Sequence, residues 1–123
     1  MPLDQPVTFL LTALPDQAIV FYRDTLGLGY QRDDGFALIF HNGPTMLRIS
    51  KVPAHSPANH TILGWEVADI ATSVAELADK GVAFEHYPGM GQDEHGIATF
   101  PNGDKVAWFR DPDGNVLSLS QHA

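Results

Sequence analysis

Two rhythms of apolar residues run through this chain, and they alternate. Residues 7–12 are apolar and β-prone and predict a strand. Pro15 suits a first helical turn, and Ile19, Tyr22 and Leu26 recur at helical spacing, so they predict one buried face. Gly27 then ends the helix. A weak strand over 29–33 leads to Asp34-Gly35, a hairpin signal, and strands follow over 36–41 and 45–52 around Asn42-Gly43-Pro44. Residues 51–60 carry two prolines and two histidines without periodicity and read as a linker.

The pattern then restarts. A strand is predicted over 61–67 and a helix with Ile70, Val74 and Leu77 as its buried stripe. Asp69 or Ser73 can cap it, Ser73 and Glu76 having capping-box spacing, and Gly81 closes it. A short strand over 82–85 precedes a Gly- and acid-rich loop over 87–96. A hairpin over 97–100 and 105–110 turns at Pro101-Asn102-Gly103. Asp111-Pro112-Asp113-Gly114 places Pro and Gly where a β-turn favours them, and 116–121 is the last strand.

The same order of elements therefore occurs twice, in module one (7–52) and module two (61–121). The letters repeat too: Ile39-Phe40 leads through a turn to Met46–Ser50 as Trp108-Phe109 leads through a turn to Val116–Ser120. The fold class expected is α+β: two βαβββ modules in one domain spanning 1–123, forming a curved mixed β-sheet around a concave pocket with helices on the outer face. A ferredoxin-like βαββαβ arrangement leaves two hairpin strands over.

Alternation along strands assigns faces. Leu47 and Ile49, Leu117 and Leu119, and Leu63, Trp65 and Val67 should pack under helices. Arg48, Ser118 and Glu66 fall on the opposite, mixed faces and should line the concave surface. Ile39 and Trp108 align through the repeat and fall on the mixed side if Phe40 and Phe109 face the helices. A tryptophan beside an arginine makes a flat apolar wall with an anion anchor.

Charge narrows the partners. Seven basic against fifteen acidic residues give a net charge of −8, so phosphate-rich partners are repelled: no nucleic acid and no anionic membrane is expected. With no cysteine, disulfides, thiolate nucleophiles and zinc–sulfur sites are excluded. The opening residues lack a basic segment followed by an apolar run, and no apolar stretch could span a bilayer, so a cytoplasmic location is expected.

Three segments resemble the vicinal oxygen chelate superfamily of glyoxalases, bleomycin-resistance proteins and extradiol dioxygenases. They are Phe21-Tyr22-Arg23-Asp24-Thr25-Leu26-Gly27-Leu28, then Trp65-Glu66-Val67-Ala68-Asp69-Ile70 running on to Lys80-Gly81-Val82, and Phe109-Arg110-Asp111-Pro112-Asp113-Gly114-Asn115. These are signatures of a helix stop, a cap and a turn, and they carry no chemistry. The resemblance implies homodimers with pockets between curved sheets. In metal-dependent members it implies two histidines and a glutamate as ligands; the matching positions here are Val7, Ile62 and Ser118. Valine and isoleucine cannot bind a metal, and a lone serine is a poor ligand. A one-residue slip does not restore the set, since Thr8, Thr61, Leu63, Leu117 and Leu119 are no better.

The expectation is a small-molecule-binding protein of sequestration or resistance type, with no cofactor. Its ligand-binding residues would be Arg48, Trp108, Glu66, Ile39, His41 and Ser118. Arg48 leads, because a charge in mid-strand must be paired, for example with Glu66, or meet a ligand. His41, at a strand end, reads as a hydrogen-bonding or surface histidine. The alternative is a glyoxalase-like lyase or isomerase, or a dioxygenase-type enzyme, with a displaced divalent metal ion on His60, Glu66 and His95, or a metal-free catalyst using Glu66 or His95. Gln92-Asp93-Glu94-His95 reads as an exposed acidic loop rather than a lid, and His55, His86 and His122 form no constellation.

Overall fold

The computed structural model describes residues 1–123, and the chain divides into two compact units, Met1–Ser56 and Pro57–Ala123. The first unit holds β1 (Val7–Thr12), α1 (Pro15–Ile19), a π-helical segment (Val20–Thr25), β2 (Gly29–Asp33), β3 (Ala37–Asn42) and β4 (Thr45–Lys51). The second holds β5 (Thr61–Glu66), α2 (Ile70–Asp79), β6 (Ala98–Thr99), β7 (Lys105–Arg110) and β8 (Val116–Gln121). The strands form two four-stranded mixed sheets, one per βαβββ module, ordered β1-β4-β3-β2 and β5-β8-β7-β6. In each, the first strand runs parallel to the last and the other pairings are antiparallel. The two units thus share one βαβββ topology, strand for strand.

Register explains each core. In the first unit Phe40 pairs with Leu47 and Leu38 with Ile49, and all four are buried with Leu10 on the helix-side face. Tyr22 meets Phe40 at a ring-centroid distance of 5.9 Å, and Tyr30 meets it at 5.1 Å. The helix differs from the sequence expectation. Its second half widens to π geometry, with the Leu26 N–H donating to the Phe21 carbonyl and Leu28 N–H to Tyr22. The wider turn rotates the face, so Ala18 and Tyr22 are buried while Ile19 and Leu26 are only half-buried. Gly27, at φ 75°, supplies the left-handed residue that ends it.

In the second unit α2 buries Ile70 and Val74 on the β7–β8 side of the sheet, where Phe109 pairs with Leu117 and Ala107 with Leu119. Asp69 caps the helix, its carboxylate accepting from Thr72 N–H at 3.2 Å, so the cap is Asp69 and not Ser73. Residues 82–85 are not a strand; Glu85 N–H makes a single bond to the Trp108 carbonyl, 2.8 Å. Phe36 lies outside β3, 80% exposed, because Asp34 pulls the backbone into a turn by accepting from both Phe36 and Ala37 N–H. No helix is long and apolar enough to cross a membrane.

Candidate ligand-binding site

The mixed face of the first sheet is built by register. Arg48 on β4 lies between Ile39 on β3 and Phe9 on β1, and Met46 lies between His41 and Val7. Arg48 is the only charge on that stretch of β4 before Lys51. Its Nη2 donates to Asp34 Oδ2 at 3.1 Å, and both side chains are mostly buried. The ion-pair partner is therefore Asp34 and not Glu66. Asp34 already accepts the Phe36 and Ala37 N–H groups, and these bonds, with Arg48 adding to them, hold its pKa down to about 2. One guanidinium nitrogen is committed to Asp34. Around it Phe9 is 64% exposed, and Val7 and Leu11 are also exposed. Ile39 has no exposed surface and forms the floor behind Arg48. His41 bonds through Nε2 to Gln31 Oε1 at 2.9 Å, as a hydrogen-bonding histidine should.

The mixed face of the second sheet carries Trp108, Ser118, Gly64, Ser120 and Glu66 in register. Ser118 is 6% exposed and its hydroxyl fills the space over Gly64; a Cβ there would lie 2.5 Å from Ser118 Oγ. Glu66 is engaged by His122, which bonds to it through both Nδ1 and its backbone N–H, the latter at 3.0 Å. Sequence separation hid this pair: the two residues lie 56 apart, yet Glu66 pairs with Ser120, so His122 emerges on the same face.

Two further residues were missed. Tyr87 stands edge-on to Trp108, centroids 5.5 Å apart at 74°, and Arg110 lies on the Trp108 side of β7. Arg110 is fixed by Glu85 and by the Gly114 carbonyl, 2.8 Å. Glu85 raises the Arg110 pKa, with Tyr87 contributing. The only advance signal was an aromatic residue in a Gly-rich loop. Together Trp108, Tyr87 and Arg110 make an aromatic corner with a cation beside it.

Two hollows of the second unit lie away from Trp108, Ser118 and Glu66. A groove of about 330 Å3 follows α2 and includes His86, Glu94 and His95 in its wall. Another of about 330 Å3 is lined by Asp69, Asp93, Lys105 and Gln121. The alternative metal set is not assembled: Glu66 is taken by His122, His95 lies 3.4 Å from Glu94, and no group of three His, Asp or Glu side chains is arranged to hold an ion. The positions that the resemblance assigns to metal ligands do not fit one either, since Val7 and Ile62 have no donor atom and Ser118 turns its hydroxyl to Gly64.

Duplicated βαβββ topology and the three matching segments define the class. The chain belongs to the Glyoxalase/Bleomycin resistance protein/Dioxygenase superfamily, whose family model matches residues 6–119. Among curated proteins there is no match. Solved structures share the fold. A protein of the glyoxalase family from Bacillus anthracis superposes with a TM-score of 0.76 at 17% identity, covering 100% of this chain and 98% of its own. Lactoylglutathione lyase from Agrobacterium tumefaciens gives 0.73 at 22% identity, covering 98% and 95%. TnmS3, an antibiotic-binding protein from Streptomyces sp. CB03234, gives 0.71 at 22% identity, covering 98% and 96%.

Proposed function

We propose that this chain is a metal-independent small-molecule-binding member of its superfamily, of the sequestering or resistance type. The observation that carries the reading is the donor set. At the three positions where metal-dependent relatives are expected to hold an ion, this chain offers one hydroxyl, already packed on Gly64. What remains on the mixed faces is suited to binding: Arg48 among exposed Val7, Phe9 and Leu11 in the first unit, and Trp108 beside Tyr87 in the second. Arg48, Trp108, Glu66 and His41 are the ligand-contacting groups, with Ile39 and Ser118 behind them. The likeness of fold to an antibiotic-binding protein agrees with this use. The reading includes a homodimer in the cytoplasm.

A thermal-shift screen against cationic antibiotics, aldehyde–thiol adducts and simple carboxylates tests it, repeated with Arg48→Ala. The expected result is stabilisation by an anionic or carbonyl-bearing compound that remains chemically unchanged after incubation, and loss of that stabilisation in Arg48→Ala while the fold persists. Turnover of the compound would instead establish an enzyme.

A further inference from the structure

Residues 85–96 form no helix or strand, yet one side chain ties them together. Gln92 is part-buried, and its Oε1 accepts the Tyr87 N–H at 2.6 Å. Its Nε2 donates both of its hydrogens, to the carbonyls of Glu85 and Gly96, each at 2.7 Å. One carboxamide therefore matches one donor and two acceptors of the surrounding backbone, which only Gln or Asn chemistry can do. The segment needs such a tie. Gly89, Gly91 and Gly96 all hold positive φ, and glycine leaves many other conformations open. The group that Gln92 holds most closely is the backbone of Tyr87, the residue whose ring meets Trp108.

We infer that Gln92 is a positioning residue, which pre-forms the aromatic corner by setting Tyr87 edge-on to Trp108 before any ligand arrives. This rests on the proposed reading of the mixed faces as ligand-binding, and it adds that the second unit's wall is built in advance rather than on binding. A corner preset in this way selects flat, unsaturated ligands, because a bulky saturated one would have to displace Tyr87.

The test is spectroscopic and needs no ligand. In a Trp65→Phe background Trp108 is the sole tryptophan. The near-ultraviolet circular dichroism of its indole is expected to lose most of its Tyr87-coupled amplitude in Gln92→Ala, with the far-ultraviolet spectrum unchanged. Tyr87→Leu should show the same loss, and the double variant no more. Gln92→Glu adds a pH readout. Its ionised carboxylate would face two carbonyl oxygens, so the band should be weak near pH 7. It should recover as the carboxyl protonates, with a midpoint above the usual Glu value of about 4.3, while the parent shows no such transition. If Gln92→Ala unfolds, the titration of Gln92→Glu decides. Full Trp108 signal in Gln92→Ala, or a Gln92→Glu band that does not move with pH, would overturn the inference. A lost band in a protein that binds no compound would leave it standing and remove the ligand-binding reading instead.

Discussion

Gly64 and Ser118 occupy one small volume between them. The Cβ of an alanine at 64 would meet Ser118 Oγ at 2.5 Å, while Ser118 Cβ is 3.8 Å away. Gly64→Ala is therefore expected to destabilise the chain by about 1–3 kcal/mol, and Ser118→Ala to relieve most of it. A double-mutant cycle in denaturant measures the coupling; additive effects would show that the hydroxyl is not what excludes the methyl. Arg48 and Asp34 give the second expectation at this scale. Asp34 is held first by two backbone N–H groups, and Arg48 only adds to them. Losing the guanidinium should thus change Tm little, and a large drop would show that the pair is a structural necessity. The sign with pH follows from a depressed carboxylate. The stability it contributes is present above the unfolded value of about 3.9 and is lost as pH falls through its folded value of about 2. Asp34→Asn should flatten that part of the acid limb in a pH series of melts, and an unchanged limb would assign the acid sensitivity elsewhere.

Among the elements, the turn before β8 is closed by one carboxylate. Asp111 is nearly buried; its Oδ1 accepts the Asp113 and Asn115 N–H groups at 3.0 Å and its Oδ2 the Asn115 side-chain amide at 2.8 Å. Asp111→Ala strands those donors, so a loss of about 2–4 kcal/mol is expected, read as a drop in Tm of roughly 10 °C. A drop of only a degree or two would show that water replaces the carboxylate at no cost. This turn was legible from sequence because the Asp111 carboxylate closes it on groups no more than four residues away. So were the strands, whose period of two separates Leu47 and Ile49 from Arg48. Tyr22 was read as buried and is, but the widened helix was not legible, because Ile19, Tyr22 and Leu26 match α spacing and nothing local shows that Ala18 will join Tyr22 in the core while Ile19 and Leu26 stay half-buried. The strand expected at 82–85 failed for a related reason: β propensity was present, but α2 and the Gln92-tied loop left only one ladder bond for it.

At the scale of the molecule, the repeat of βαβββ was visible in the order of elements, and the sheets confirm it pair by pair. The pairs of the candidate site were mostly invisible. Arg48–Asp34, Glu66–His122 and Trp108–Tyr87 join residues far apart in sequence, and only register brings them together. The metal positions are the exception, since the identity of Val7, Ile62 and Ser118 alone decides their chemistry.

Native mass spectrometry of the purified chain, offered nickel, zinc, cobalt or manganese in excess and then desalted, addresses the central claim most directly. A chain whose ligand positions carry two aliphatic side chains and a buried hydroxyl should emerge at its bare mass. One divalent ion retained per chain, and lost when Glu66, His60 or His95 is replaced, would contradict it.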